Sequence, residues 1–222
     1  MDNFIGELLG TMVLIILGDG VVANVLLAKS KGENSGWIVI TTGWAFAVMA
    51  GVFTAISAGA PQADINPAVT LAKTVMDIYT PTQMITTMAA QFIGAFLGAV
   101  VVWLTYLPHW AETDEPGLKL GVFSTAPAIY NPPAHPITEI IGTLILVFGV
   151  GAIFSGATLP AAEFANTIPA GPALGLGPFL VGALVWGIGL SLGGPTGYAI
   201  NPARDLGPRI AHAILPIAGK GG

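Results

Sequence analysis

Two copies of one tripeptide, Asn66-Pro67-Ala68 and Asn201-Pro202-Ala203, lie 135 residues apart, each preceded by an isoleucine, Ile65 or Ile200. Asn followed by Pro makes a good helix start. The Asn side-chain oxygen caps free backbone N–H groups, and Pro fits the first helical turn, where its missing donor is not needed. With the oxygen engaged as a cap, the amide NH₂ of each Asn is left to donate to a passing hydroxyl or water. Each helix start also carries about half a positive charge, so two of them aimed at one place oppose cations and a continuous proton wire. That arrangement suits a path for neutral solutes. A plainer reading makes both Asn residues helix caps and nothing more, but it leaves their duplication without a reason.

Four other polar positions carry chemical potential. Arg204 follows the second tripeptide in a segment with no further basic residue before Arg209. A charge at membrane depth is costly unless it faces water or a partner. Arg204 therefore either lines an aqueous path, its fork of donors suited to hydroxyl oxygens, or pairs with the adjacent Asp205. Glu7 and Glu139 each open an otherwise apolar stretch. They read as proton-relay groups or as buried acceptors for backbone N–H groups. Asp19 shares the first of these stretches, Gly151 stands at the matching place in the second, and the sequence assigns Asp19 no role. No nucleophile–base pair, phosphate loop or metal cluster can be assembled, so neither an enzyme nor a cofactor or metal is expected. The absence of cysteine excludes disulfides and thiolate centres.

The elements that must hold these residues are apolar. Of 222 residues 54% are hydrophobic and 9% charged, and the mean hydropathy is +0.78. A water-facing domain carries roughly 25% charged residues, so the composition predicts an integral, multi-pass protein in contact with the lipid bilayer. A net charge of −5 argues against nucleic acid as a partner. No removable leader is visible at the N-terminus, whose apolar run is long enough to span. Five stretches, near 4–28, 37–59, 83–107, 137–157 and 172–192, have the ~20 residues that a bilayer crossing needs. Gly6 and Gly10, and Gly94 and Gly98, are spaced to let helices pack closely within one bundle. Asp64 to Asp77, and Asn201 to about Ala213, are too short to cross and read as re-entrant half-helices, tolerated where they line a cavity.

A duplication organises the chain. Glu7-Leu8-Leu9-Gly10-Thr11 is repeated as Glu139-Ile140-Ile141-Gly142-Thr143 at an offset of 132, close to the 135 that separates the two Asn residues. This divides a single transmembrane domain, 1–222, into a first repeat 1–107, a linking loop 108–136 and a second repeat 137–222. An odd number of spans per repeat inverts one half relative to the other. The same offset predicts a sixth span starting near residue 217; the chain stops at Gly222, which reads as a C-terminal truncation. The linking loop contains Pro108, Pro116, Pro127, Pro132, Pro133 and Pro136, expected to break any helix, and the water-seeking Glu112, Asp114, Glu115 and Lys119. It reads as a vestibule lining or as a plain linker. Charge does not fix the orientation: the first loop carries Lys29 and Lys31, and the loop around Glu163 has no basic residue.

The paired Asn-Pro-Ala boxes, the repeated Glu-x-x-Gly-Thr and the run Asn201-Pro202-Ala203-Arg204-Asp205 resemble the aquaporins, and more closely their bacterial glycerol-facilitator branch. The resemblance covers about residues 4 to 216. It implies an all-α inverted repeat with two half-helices, a pore in each protomer of a homotetramer, and a place in the cell membrane. It also implies a selectivity filter of Trp44, Gly189, Tyr198 and Arg204. Water-selective members carry a His where Gly189 stands, and none of His109, His135 and His212 falls in a full span. Trp44 and Tyr198 would form an apolar corner for a carbon backbone with Arg204 opposite, although Trp44 taken alone also reads as an interfacial anchor. Asp205 directly after Arg204 is similar to glycerol facilitators. The resemblance and the duplication together favour Glu7 and Glu139 as loop-supporting acceptors. The implied activity is a passive channel for glycerol and water, with dihydroxyacetone, urea, peroxide and small acids also fitting. A water-selective aquaporin is the alternative. An inverted-repeat secondary transporter is the rival of different class, and a non-conducting structural protein would leave the boxes unexplained.

Overall fold

The apolar runs fold into long helices, and the breakers between them mark the ends. The computed structural model of the protein describes residues 2–154 and 170–221. Among these residues all regular structure is helical: α1 (Asp2–Leu26), α2 (Trp37–Ser57), α3 (Pro67–Val75), α4 (Pro81–Thr105), α5 (Leu107–Glu112), α6 (Pro116–Phe123), α7 (Ala134–Phe154), α8 (Ala170–Ser191) and α9 (Pro202–Ile214). α1, α2, α4 and α7 are long and apolar enough to cross a membrane. α8 runs for 22 residues and contains the apolar stretch Leu176–Ser191. These five helices occupy the five stretches expected to span, although the end of the fourth, residues 155–157, and the loop around Glu163 lie outside the described residues. α3 has 9 residues and α9 has 13, roughly 14 and 20 Å at 1.5 Å per residue. Both fall short of a bilayer core of about 30 Å.

Glycines set how closely the long helices approach. α1 packs against α2 and α4. A Cβ added at Gly6 would lie 2.6 Å from the Ala55 carbonyl oxygen, and one at Gly10 would lie 2.7 Å from that of Gly51. On the other side, a Cβ at Gly94 would lie 2.2 Å from the Leu8 carbonyl oxygen, and one at Gly98 would lie 2.7 Å from that of Met12. Each of these oxygens belongs to rigid helical backbone, so a methyl group cannot be absorbed by a side-chain rotation. Gly94→Ala should therefore force α1 and α4 apart and lower the melting temperature of the detergent-solubilised protein. Gly151→Ala is the matched control, since nothing lies within 4 Å of a Cβ there, and it should be neutral or slightly stabilising. Equal melting temperatures for the two variants would refute this packing.

The linking loop departs from expectation. It was expected to hold no helix, yet it contains α5 and α6. Pro108 and Pro116 sit in the first turn of each, where proline needs no donor and its φ is already helical. The loop also folds inward. The Trp110 and Phe123 rings stack at 5.4 Å, and Phe123 lies 5.6 Å from the His212 ring of α9. Lys119, expected to seek water, is buried and donates from Nζ to the carbonyl oxygens of Ala218 and Gly219. Burying two aromatic rings outweighs the water-seeking character of the loop's charges, of which Glu112, Asp114 and Glu115 remain exposed.

Candidate functional site

The site is built from two strained turns. Ala63 and Ile65 before α3, and Tyr198 and Ile200 before α9, take positive φ values of 44°, 45°, 43° and 40°. For β-branched Ile this is an uncommon conformation, costing about 1–3 kcal/mol per residue. Alternating the sign of φ turns successive N–H groups to one side and forms an anion-binding concavity. A carboxylate fills each one. Glu7 accepts from the N–H groups of Asp64 at 2.7 Å and Ile65 at 2.8 Å. Glu139 accepts from Ala199 at 3.2 Å and Ile200 at 3.0 Å. The glycine of each Glu-x-x-Gly-Thr motif makes room for the matching isoleucine. A Cβ at Gly10 would meet Ile65 Cγ2 at 3.0 Å, and one at Gly142 would meet Ile200 Cγ2 at 2.9 Å.

Further polar groups complete both turns, and the sequence reading did not single them out. Gln91 Nε2 donates to Glu7 and to Thr70 Oγ1, both at 2.9 Å, and Thr70 donates in turn to Asp64 at 2.8 Å. Lys73 Nζ lies 2.5 Å from Asp64 Oδ1. On the second turn, Thr196 Oγ1 donates to Glu139 at 2.6 Å. Gln91 had a signal of its own, an amide inside a full span. Thr70 and Thr196 had none.

Asn66 and Asn201 cap α3 and α9. Asn66 Oδ1 accepts from the Ala68 N–H at 2.9 Å, and Asn201 Oδ1 accepts from Ala203 at 3.1 Å and Arg204 at 3.2 Å. Their amides do not stay wholly free, as the sequence reading held. Asn66 Nδ2 donates to the Ile200 carbonyl at 2.9 Å, and Asn201 Nδ2 donates to the Ile65 carbonyl at 2.8 Å. The left-handed turn aims each of these carbonyls at the opposite box. One hydrogen of each amide is thus committed across the junction, and one remains. Pro67, Ala68, Pro202 and Ala203 form the first turns of the two half-helices behind these Asn residues.

The four positions that the resemblance assigns to a filter form two contacts. The Arg204 guanidinium stacks over the Trp44 ring, 4.1 Å from its centroid, a cation–π geometry. Gly189 faces Tyr198 and Thr41: a Cβ there would lie 2.8 Å from Tyr198 Cζ and 3.0 Å from Thr41 Cγ2. Trp37 secures this corner. Its ring meets Tyr198 edge-on at 5.7 Å, and its Nε1 donates to the Gly189 carbonyl at 3.0 Å. Asp205 does not pair with Arg204. It accepts from Thr125 N–H at 2.8 Å and Thr125 Oγ1 at 2.9 Å, and forms an ion pair with Arg209 at 3.0 Å. It therefore ties the linking loop, just past α6, to α9.

Two half-helices whose N-termini meet inside a bundle of long apolar helices define a membrane channel. The chain belongs to the major intrinsic protein family, which it matches over residues 1–215. It is similar to the probable glycerol uptake facilitator protein of Thermotoga maritima, with 56% identity over 220 residues, covering 99% of this chain and 87% of that protein. Glycerol uptake facilitator protein 3 of Lactiplantibacillus plantarum is 51% identical over 219 residues, covering 99% and 85%. Among solved structures, the X-ray structure of the aquaglyceroporin from Plasmodium falciparum superposes with a TM-score of 0.73 at 27% identity, covering 99% of this chain and 84% of that one.

Proposed function

We propose that the protein is a passive channel for glycerol and similar small neutral solutes, also permeable to water, and that it works in the cell membrane as a homotetramer with a pore in each protomer. The observation that carries this reading is the filter corner, where the Arg204 guanidinium lies 4.1 Å above the Trp44 ring and Tyr198 fills the space beside Gly189. An amphipathic polyol can lay its carbon backbone against the aromatic edges of this corner and turn its hydroxyls to the guanidinium. Sites with apolar walls and a few fixed polar groups select molecules of this kind. The remaining hydrogen of each Asn amide then offers the next hydroxyl a donor at the junction. Glu7 and Glu139 act as structural acceptors in this scheme, since each is already occupied by backbone N–H groups.

Stopped-flow light scattering on proteoliposomes tests the reading with glycerol, dihydroxyacetone, urea, peroxide and small acids. Glycerol flux should rise without saturation to high concentration and should ignore an imposed proton gradient. Accumulation driven by that gradient would make the protein a coupled transporter. Water flux with no glycerol flux would make it a water-selective channel.

A further inference from the structure

The two turns are fastened differently. In the first, the Asp64 carboxylate is held by Thr70 at 2.8 Å and by Lys73 at 2.5 Å, so the turn and α3 supply both ends of the strap. At the 135-residue offset of the boxes, Ala199 stands where Asp64 does, Asp205 where Thr70 does and Pro208 where Lys73 does. Ala199 and Pro208 have no polar side chain, so the same strap cannot form in the second turn. The linking loop takes its place. Its root is fixed by Phe123 and Ser124, both buried, and Thr125 follows, half-buried. The Thr125 N–H and Oγ1 both donate to Asp205, at 2.8 and 2.9 Å, and its carbonyl accepts from Arg209 Nη2 at 3.0 Å. The Thr125 side chain also meets Gly197, where φ is 88° and a Cβ would lie 3.1 Å from Thr125 Cβ and 3.2 Å from its Cγ2. Three residues on, the Ala128 N–H donates to the Pro195 carbonyl at 2.9 Å. Gly197 directly precedes Tyr198, and Asp205 directly follows Arg204. Thr125 thus touches the chain neighbours of two positions in the filter corner.

We infer that Thr125 is a positioning residue for the filter: from the linking loop it fixes where the Tyr198 ring and the Arg204 guanidinium stand relative to each other. This rests on the filter reading given under the proposed function. Thr125 works through Gly197 and Asp205. Tyr198 is left-handed at φ 43°, a conformation that persists only where its surroundings hold it. Asp205 lies in the first turn of α9, so its carboxylate is the point at which the loop grips that turn. The linking loop is then part of the selectivity apparatus and more than a connection between the repeats.

Thr125→Val keeps the shape of the side chain and its contact with Gly197, and removes the hydroxyl that donates to Asp205. In proteoliposomes the ratio of glycerol to water permeability should fall about threefold or more, the scale of one lost hydrogen bond to a carboxylate. A polyol needs ring and guanidinium in register, whereas a single water does not. Thr125→Ser, which keeps the hydroxyl, should hold the ratio of the unmodified protein. In an Asp205→Ala background Thr125→Val should change the ratio no further, the signature of one residue acting through another. The ratio does not depend on how much protein is folded, so a loss of stability alone leaves it unmoved. A parallel fall in both permeabilities, an unchanged ratio, an equal fall in both backgrounds or a fall in Thr125→Ser as large as in Thr125→Val would overturn the proposal. Should Thr125→Val not assemble, Thr125→Ala is read by the same ratio, and failure of both to assemble makes Thr125 a packing group and defeats the proposal. Glycerol flux through the unmodified protein, measured in parallel, keeps the two readings apart. Its absence defeats the filter reading and this one with it, whereas normal flux with an unaffected ratio in Thr125→Val defeats only the role of Thr125.

Discussion

Gly189→His should reduce glycerol flux by an order of magnitude or more while water flux persists. The first carbon added at position 189 would already lie 2.8 Å from Tyr198 Cζ and 3.0 Å from both Thr41 Cγ2 and Tyr198 Oη. An imidazole beyond it has to push the Tyr198 ring out of its edge-on packing with Trp37. The imidazole narrows the filter and raises the barrier for a solute that fills it, and about 1.4 kcal/mol on that barrier is a tenfold change in rate. The solute that fills the filter pays this in full, and a single water much less. Stopped-flow measurement on both proteins, normalised to protein amount, decides it. Unchanged glycerol flux in the variant would show that Gly189 and Tyr198 do not bound the constriction.

Glu7→Gln and Glu139→Gln should each sharply reduce recovery of folded protein. A carboxylate presents only acceptors, whereas a Gln amide turns a donor toward at least one of the N–H groups it must receive. Leaving one buried backbone donor unmet costs about 1–3 kcal/mol, and the turn it supports is itself strained at Ile65, φ 45°. Glu7 accepts from Asp64, Ile65 and Gln91, and Glu139 from Thr196, Ala199 and Ile200. Size-exclusion recovery and melting temperature in detergent measure the loss, and surviving protein should keep its ratio of glycerol to water permeability. Normal recovery with a loss of proton-driven uptake would return these carboxylates to a relay role.

The framework of the channel was legible because its devices are short and duplicated. Asn-Pro at a helix start, a carboxylate opening an apolar run and apolar stretches of bilayer length each have a local physical meaning, and finding each twice removed much of the ambiguity. The groups that escaped notice derive their meaning from distant partners. Thr70 and Thr196 are ordinary threonines until Gln91 and Asp64, or Glu139, are brought beside them. Pro108 and Pro116 look like helix breakers until they are seen to occupy first turns. The position of Tyr198 beside Gly189 depends on a left-handed turn at φ 43°, a conformation that local preferences disfavour for an aromatic residue.

The crossed bonds between the boxes have a consequence in time. Asn66 Nδ2 is answered by Ile200, and the Ile65 carbonyl by Asn201, groups that are synthesised 134 and 136 residues later. At roughly 5–20 residues per second, the first half waits on the order of ten seconds in the membrane with its turn incomplete. Neither half can finish its own box, because the last hydrogen bond of each is supplied by the other. The junction therefore closes only once the second box has been synthesised. An unfinished chain stalled halfway through translation has no paired junction through which a cell could lose its solutes.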